Sequence, residues 1–153
     1  MFGKLYLLFT MLIAVDVLAV AEELPDRAAD EAAIRLVTKA FITTRDNNDE
    51  AGLRALLTAA IDQGLTSGRM RSGQDAVVSG ALDMTRDTGG TRSIKLETIR
   101  FLGDDVAIAN GSYNSLGRND GTDLRMHTTM IFVRVGGEWL IDAIRNVRLA
   151  DAA

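Results

Sequence analysis

The hydrophobic rhythm of this chain changes once, at Gly89-Gly90, and that change constrains the fold more than any other feature. Before the glycine pair, apolar residues recur every three or four positions, the period of a helix with one buried face. Beyond it they alternate, as residues of half-buried strands must. From Asp26 to about Arg45, Ile34, Val37, Ala40 and Phe41 form one stripe, with Arg35, Lys39 and Arg45 off it. Asp46-Asn47-Asn48-Asp49 breaks the run, and Asp49 is placed to cap a second helix faced by Leu53, Leu56, Leu57, Ala60 and Ile61. Gly64 and Ser67-Gly68 close that run. A third helix starts after Ser72-Gly73, carries Val77, Ala81 and Met84, and dissolves at Asp87-Thr88-Gly89-Gly90.

Four strand segments follow, 93–102, 106–117, 122–135 and 138–149. Gly103-Asp104-Asp105, Arg118-Asn119-Asp120-Gly121 and Gly136-Gly137 separate them. Connections this short permit only antiparallel neighbours. Helices first and a long-stranded sheet afterwards predict an α+β fold, and 153 residues suit one domain. Strand 122–135 is apolar on both faces: His127, Thr129, Ile131 and Val133 alternate with Leu124, Met126, Met130 and Phe132. Helices cover one side of a sheet, so the other calls for a second subunit, and a homodimer through the outer sheet face is expected. The alternative cover is the N-terminal segment or a loop.

Residues 1–21 read MFGKLYLLFTMLIAVDVLAVA. Lys4, the apolar run Leu5 to Val15 and the small-x-small step Ala19-Val20-Ala21 follow the order of a secretory signal peptide. Cleavage after Ala21 would leave 22–153 as the mature domain, periplasmic or secreted, with no stable membrane anchor. Asp16 interrupts the apolar stretch, which leaves two alternatives open: an uncleaved interfacial helix, or a start placed too far upstream of a cytoplasmic protein. With no cysteine there is no disulfide, thiol nucleophile or cysteine-held zinc, and an exported chain of this kind suits a bacterial periplasm. The single histidine, His127, gives no expectation of an all-protein metal site, and no cofactor is expected. Seventeen basic residues against 21 acidic ones offer no broad surface for nucleic acid.

Several stretches in this order resemble the nuclear transport factor 2-like superfamily, in particular its SnoaL-like and ketosteroid-isomerase-like branch with the small SgcJ/EcaC-type domains. They are Leu53-Arg54-Ala55-Leu56-Leu57-Thr58, Arg71-Ser72-Gly73-Gln74-Asp75-Ala76-Val77 and Ile99-Arg100-Phe101-Leu102-Gly103-Asp104-Asp105-Val106-Ala107. The most family-like is Thr129-Met130-Ile131-Phe132-Val133-Arg134-Val135-Gly136-Gly137-Glu138-Trp139-Leu140-Ile141, and the resemblance spans about residues 30–148. It implies a cone: three N-terminal helices packed in the concave face of a curved, mainly antiparallel sheet, with a pocket at the open end and dimers through the sheet. It also implies where an isomerase would carry its aspartate base, near Gly64 or Leu65, and neither is a carboxylate. Asp62 is the only acid nearby, two or three residues out of register.

If Ile131 and Val133 point into such a cone, alternation carries His127 and Thr129 inward with them. Trp139, Ile141 and Ala143 carry Arg145, and Ile108 carries Asn110, Ser112 and Asn114. These six polar residues would form the polar end of an otherwise apolar pocket for a small apolar or weakly anionic molecule. His127 has the pKa range of a general acid or base, and Arg145 the charge to hold an anionic oxygen. The plainer alternatives are a hydrogen-bonded structural histidine and an Arg145 paired with a carboxylate such as Glu97. A bulge in any of these strands would turn part of the set outward. Asn119-Asp120-Gly121-Thr122-Asp123 reads as a hairpin turn, since the distal glutamate of a calcium loop is missing.

Overall fold

The computed structural model describes residues 27–149; the leader and its cleavage step lie outside them. The elements run α1 (Ala28–Asp46), α2 (Glu50–Ala55), β1 (Leu57–Gly64), β2 (Met70–Ser72), α3 (Gln74–Thr88), β3 (Thr91–Phe101), β4 (Val106–Leu116), β5 (Leu124–Val135) and β6 (Glu138–Arg148). The strands form one six-stranded sheet in the order β2-β1-β6-β5-β4-β3. Every pairing is antiparallel except β1 with β6. The helices pack on its concave face, as expected for the α+β cone.

On α1 the buried residues are Ile34, Thr38, Phe41 and Arg45, one face at helical spacing. Thr38 is tolerated there because its hydroxyl donates to the Ile34 carbonyl at 2.9 Å. Asp49 caps α2 as expected, its Oδ1 accepting from the Gly52 N–H at 2.9 Å. The second helix, however, stops at Ala55, and the expected helical face beyond it is wrong: Leu57 and Ile61 lie on strand β1. A four-residue spacing fits both a helix face and one side of a strand, and pairing with β6 decides for the strand. The short strand β2 was not anticipated either. Helix α3 turns Val77, Val78, Ala81, Leu82 and Thr85 inward. Ile34, Phe41, Leu53, Ile61, Val77, Phe132 and Ile141 are the centre of the core.

The choice of faces on β4 and β5 is the main correction. On β5, Met126, Thr128, Met130 and Phe132 are buried against the helices, and His127, Thr129, Ile131 and Val133 turn to the convex side. On β4 the inner residues are Ala107, Ala109, Gly111, Tyr113 and Ser115, so Ile108, Asn110, Ser112 and Asn114 face out. Since β5 is apolar on both sides, alternation supplies two equivalent readings, and packing selects between them. Phe132 and Met130, opposite the small Ala107 and Ala109, fill the space beneath the helices. On β6, Trp139 and Ile141 are inward as expected. A register shift then skips Asp142, pairing Ile141 with Phe132 and Ala143 with Ile131, and the parity flips. Ile144 and Asn146 thereby turn inward and Arg145 outward.

Candidate functional site

Helix α1 carries a different polar group at each end of the cone. Near its start Asp30 accepts from Trp139 Nε1 at 3.1 Å and from Arg27 at 3.3 Å, and forms a close ion pair with Arg134. The Arg134 hydrogen bond, then that of Trp139, holds the Asp30 carboxyl below its ordinary pKa. The Arg134 guanidinium lies over the Trp139 ring at 4.4 Å, and Phe101 packs against the same indole at 5.9 Å. This cluster seals one end. Fifteen residues on, about 22 Å along a helix, Arg45 stands at the other end, where a cavity of about 330 Å³ opens between helices and sheet.

Arg45 is buried at 2% exposure. Its Nη1 donates to the Tyr113 hydroxyl at 2.8 Å, and its Nη2 to Thr85 Oγ1 at 3.3 Å and the Ala81 carbonyl at 3.4 Å. Its hydrogen bonds all go to neutral oxygens, its guanidinium lies over the Phe41 ring at 5.6 Å, and its Nε has no hydrogen-bond partner among the described residues. Because the Tyr113 oxygen accepts from Arg45, the phenol hydrogen is left to donate elsewhere. Arg71 approaches from β2, donating to Gln63 Oε1 at 3.0 Å. Burial, and then the neighbouring charges of Arg45 and Arg69, lower its pKa. Its guanidinium lies across α3 at Gly80, where an added Cβ would sit 2.3 Å from Arg71 Nε.

Arg92 ties the framework together, donating to Asp46 at 3.1 Å, Thr88 Oγ1 at 2.7 Å and the Gly89 carbonyl at 2.8 Å. Arg118 pairs with Asp120 at 3.2 Å on the rim. Arg69 and Arg148 complete the arginines of the lining, and neither pairs with a described carboxylate. Leu65, Met84, Leu124 and Met126 supply the apolar wall. Asn146, inward because of the β6 shift, leaves its buried Oδ1 without a partner. Leu65, one of the two positions near which the resemblance would put an isomerase's base, lines the cavity with an apolar side chain.

The sequence-derived polar set does assemble, but on the opposite side of the sheet. His127 pairs across the strands with Ser112, Thr129 with Asn110 on one side and Arg145 on the other, and Asn114 with Arg125. Thr129 Oγ1 donates to Asn110 Oδ1 at 2.7 Å. Arg145 pairs with Asp62 at 2.6 Å, so the expected carboxylate partner exists and is Asp62 rather than Glu97. Neither His127 nor Arg145 lines the cavity. Tyr113, Arg45, Arg71 and Asn146 were missed. A signal was available for two of them: Arg45 falls on the Ile34–Phe41 face once Thr38 is counted, and Tyr113 alternates with Asn114.

These features define an NTF2-like fold, α+β with three helices and a mostly antiparallel six-stranded sheet. The chain is similar to an NTF-2-like protein of unknown function from Shewanella oneidensis MR-1, with TM-score 0.66 at 12% identity over 77% of this chain and 98% of that one. A ketosteroid isomerase-like protein from Erwinia carotovora atroseptica SCRI1043 superposes with TM-score 0.67 at 13% identity, covering 78% of this chain and 95% of that one. An uncharacterised protein with a cystatin-like fold from Caulobacter vibrioides gives TM-score 0.70 at 15% identity over 79% and 90% of the two chains. No family model and no curated protein sequence matches the chain.

Proposed function

We propose that this chain is an exported, dimeric cone-fold protein that binds a small molecule in the cavity at the open end of the cone. The observation that carries the reading is the cavity itself: about 330 Å³ kept open between α1, α3 and the concave sheet. It has an apolar wall and polar groups converging from several elements, as ligand sites do. The buried, unpartnered Arg45 Nε and Asn146 Oδ1 add support, because hydrogen-bonding capacity left unused in a folded interior is costly unless something supplies the missing partner.

An enzyme of isomerase, hydrolase or cyclase type with His127 as acid–base is the competing reading. The position of His127, on the far side of the sheet from the cavity, gives it no support. A fragment library titrated into isotope-labelled protein tests the binding reading by NMR. Fragments should shift the resonances of Tyr113, Met126 and Asn146, and Met126→Trp, which fills the wall, should abolish those shifts. His127→Ala should leave them intact. The reading is overturned if no fragment, charged or neutral, perturbs the cavity, or if Met126→Trp binds as the wild type does. Export after Ala21 is checked by the intact mass of the protein recovered from the periplasm of a bacterial host.

A further inference from the structure

The charge on this chain is unevenly distributed. The sequence is net −4, yet the residues lining the cavity include six arginines and no aspartate, glutamate or lysine. Those arginines come from α1, the β1–β2 loop, β2, β3, the β4–β5 connection and β6, so no local sequence bias accounts for their meeting. Two have work to do in the fold: Arg92 joins α1, α3 and β3, and Arg118 holds its own turn through Asp120. Arg45, Arg69, Arg71 and Arg148 pair with no described carboxylate. Arg45 and Arg92 are buried and Arg71 is half-buried, while Arg69 and Arg148 stand exposed at the mouth; gathering like charges there opposes folding, most strongly at the buried ones. At Arg71 the pKa falls first through burial and then through the charges of Arg45 and Arg69, with Asp83 acting the other way. Gly80 strengthens the case. Glycine inside a helix is unfavourable, and here its missing side chain is what allows the Arg71 guanidinium to lie along α3 at the cavity.

We propose that the ligand of this cavity is a small organic anion, a carboxylate carried on a short apolar body. The inference rests on the small-molecule reading above and adds the ligand's charge and the groups that hold it. Arg71 and the Tyr113 hydroxyl bind the carboxylate, Arg45 orients that hydroxyl, and Leu65, Leu124 and Met126 take the apolar part. A planar guanidinium matches a carboxylate with two parallel hydrogen bonds, and an amide of the same shape cannot supply the charge. Binding relieves the repulsion among the arginines, so the anion also stabilises the fold, by the usual linkage between ligand affinity and unfolding.

The test compares phenylacetate with phenylacetamide, equal in shape and different in charge, and with inorganic phosphate, all at matched ionic strength. Phenylacetate should raise the Tm and shift the Arg45 and Arg71 side-chain resonances, with an affinity that falls as sodium chloride is added. Arg71→Gln should weaken it about tenfold to a hundredfold, the loss expected for a charged hydrogen bond. Gly80→Ala should fold at least as well as wild type and still lose affinity, since the new methyl displaces the guanidinium. Arg145→Gln, on the outer face, should bind as the wild type does. Phenylacetamide binding as tightly as phenylacetate, or Arg71→Gln binding unchanged, overturns the anion and leaves the cavity reading standing. Phosphate binding as tightly as phenylacetate overturns the apolar body. If neither aromatic compound moves a cavity resonance, the anion inference falls, and the fragment titration decides separately whether the cavity reading falls with it.

Discussion

Asp30 shows how much one residue can organise. Its carboxylate joins the start of α1 to Arg134 and Trp139 on the β5–β6 hairpin and to Arg27, and it closes one end of the cone. Its pKa is lowered in the fold, first by the Arg134 hydrogen bond. The stabilisation is therefore complete above the ordinary carboxylate pKa and is lost as pH falls through the lower, folded value. Asp30→Asn should lower the Tm at pH 7 and flatten the acid side of the Tm–pH curve below about pH 5. Thermal melts of both proteins from neutral to acid pH check it, and parallel curves would contradict the assignment. Asp49 is a simpler case: Asp49→Ala removes the α2 cap and should cost about 1 kcal/mol, read from the urea midpoint.

At the scale of the element, β3 and β4 meet at an irregularity that leaves no room for a side chain. The register between them shifts between Leu96 and Thr98, and Gly111 on β4 faces that irregularity. A Cβ on Gly111 would lie 2.0 Å from the Lys95 carbonyl oxygen and 2.9 Å from Leu96 Cα, both backbone atoms that cannot step aside. Gly111→Ala should therefore destabilise the protein by at least about 2 kcal/mol, whereas alanine usually improves on glycine in a strand. A lowered denaturation midpoint with an unchanged m-value would show it. The shift on β6 has the opposite kind of importance. Skipping Asp142 costs the sheet one pairing, and it also turns Asn146 into the cavity and Arg145 out to Asp62. Asp142 itself is held by Thr58 Oγ1 at 2.7 Å, which anchors the shift to β1.

For the whole molecule, the convex face is where the expected homodimer would form. Ile108, Ile131 and Val133 stand there side by side on β4 and β5, ringed by Asn110, Thr129 and the Arg145–Asp62 pair. We propose that a second copy covers this face. Native mass spectrometry and light scattering should give a dimer at micromolar concentration. Ile131→Lys should yield a folded monomer that keeps its cavity ligand, because the two sites lie on opposite sides of one sheet. A monomeric wild type would end the proposal.

The change of period at Gly89-Gly90, the Asp49 cap and the turn pairs between strands are local physics, legible residue by residue. With them came the helices α1 and α3, strands β3 to β6 within a residue or two, and the antiparallel connections. The β4 neighbours of His127 and Thr129, Ser112 and Asn110, follow from the position of the turn between the strands, but the β6 neighbour Arg145 does not, because the shift after Ile141 sets it. Which face of the sheet His127 and Thr129 occupy was not legible. A strand apolar on both sides satisfies alternation in either sense, and only the volume beneath α1 and α3, together with a one-residue shift on β6, breaks the tie. Nor does any window of sequence contain the cavity. Arg45, Arg71, Arg92 and Arg148 are strangers along the chain and become neighbours through closure of the sheet, and charge summed over a sequence carries no record of where folding will concentrate it.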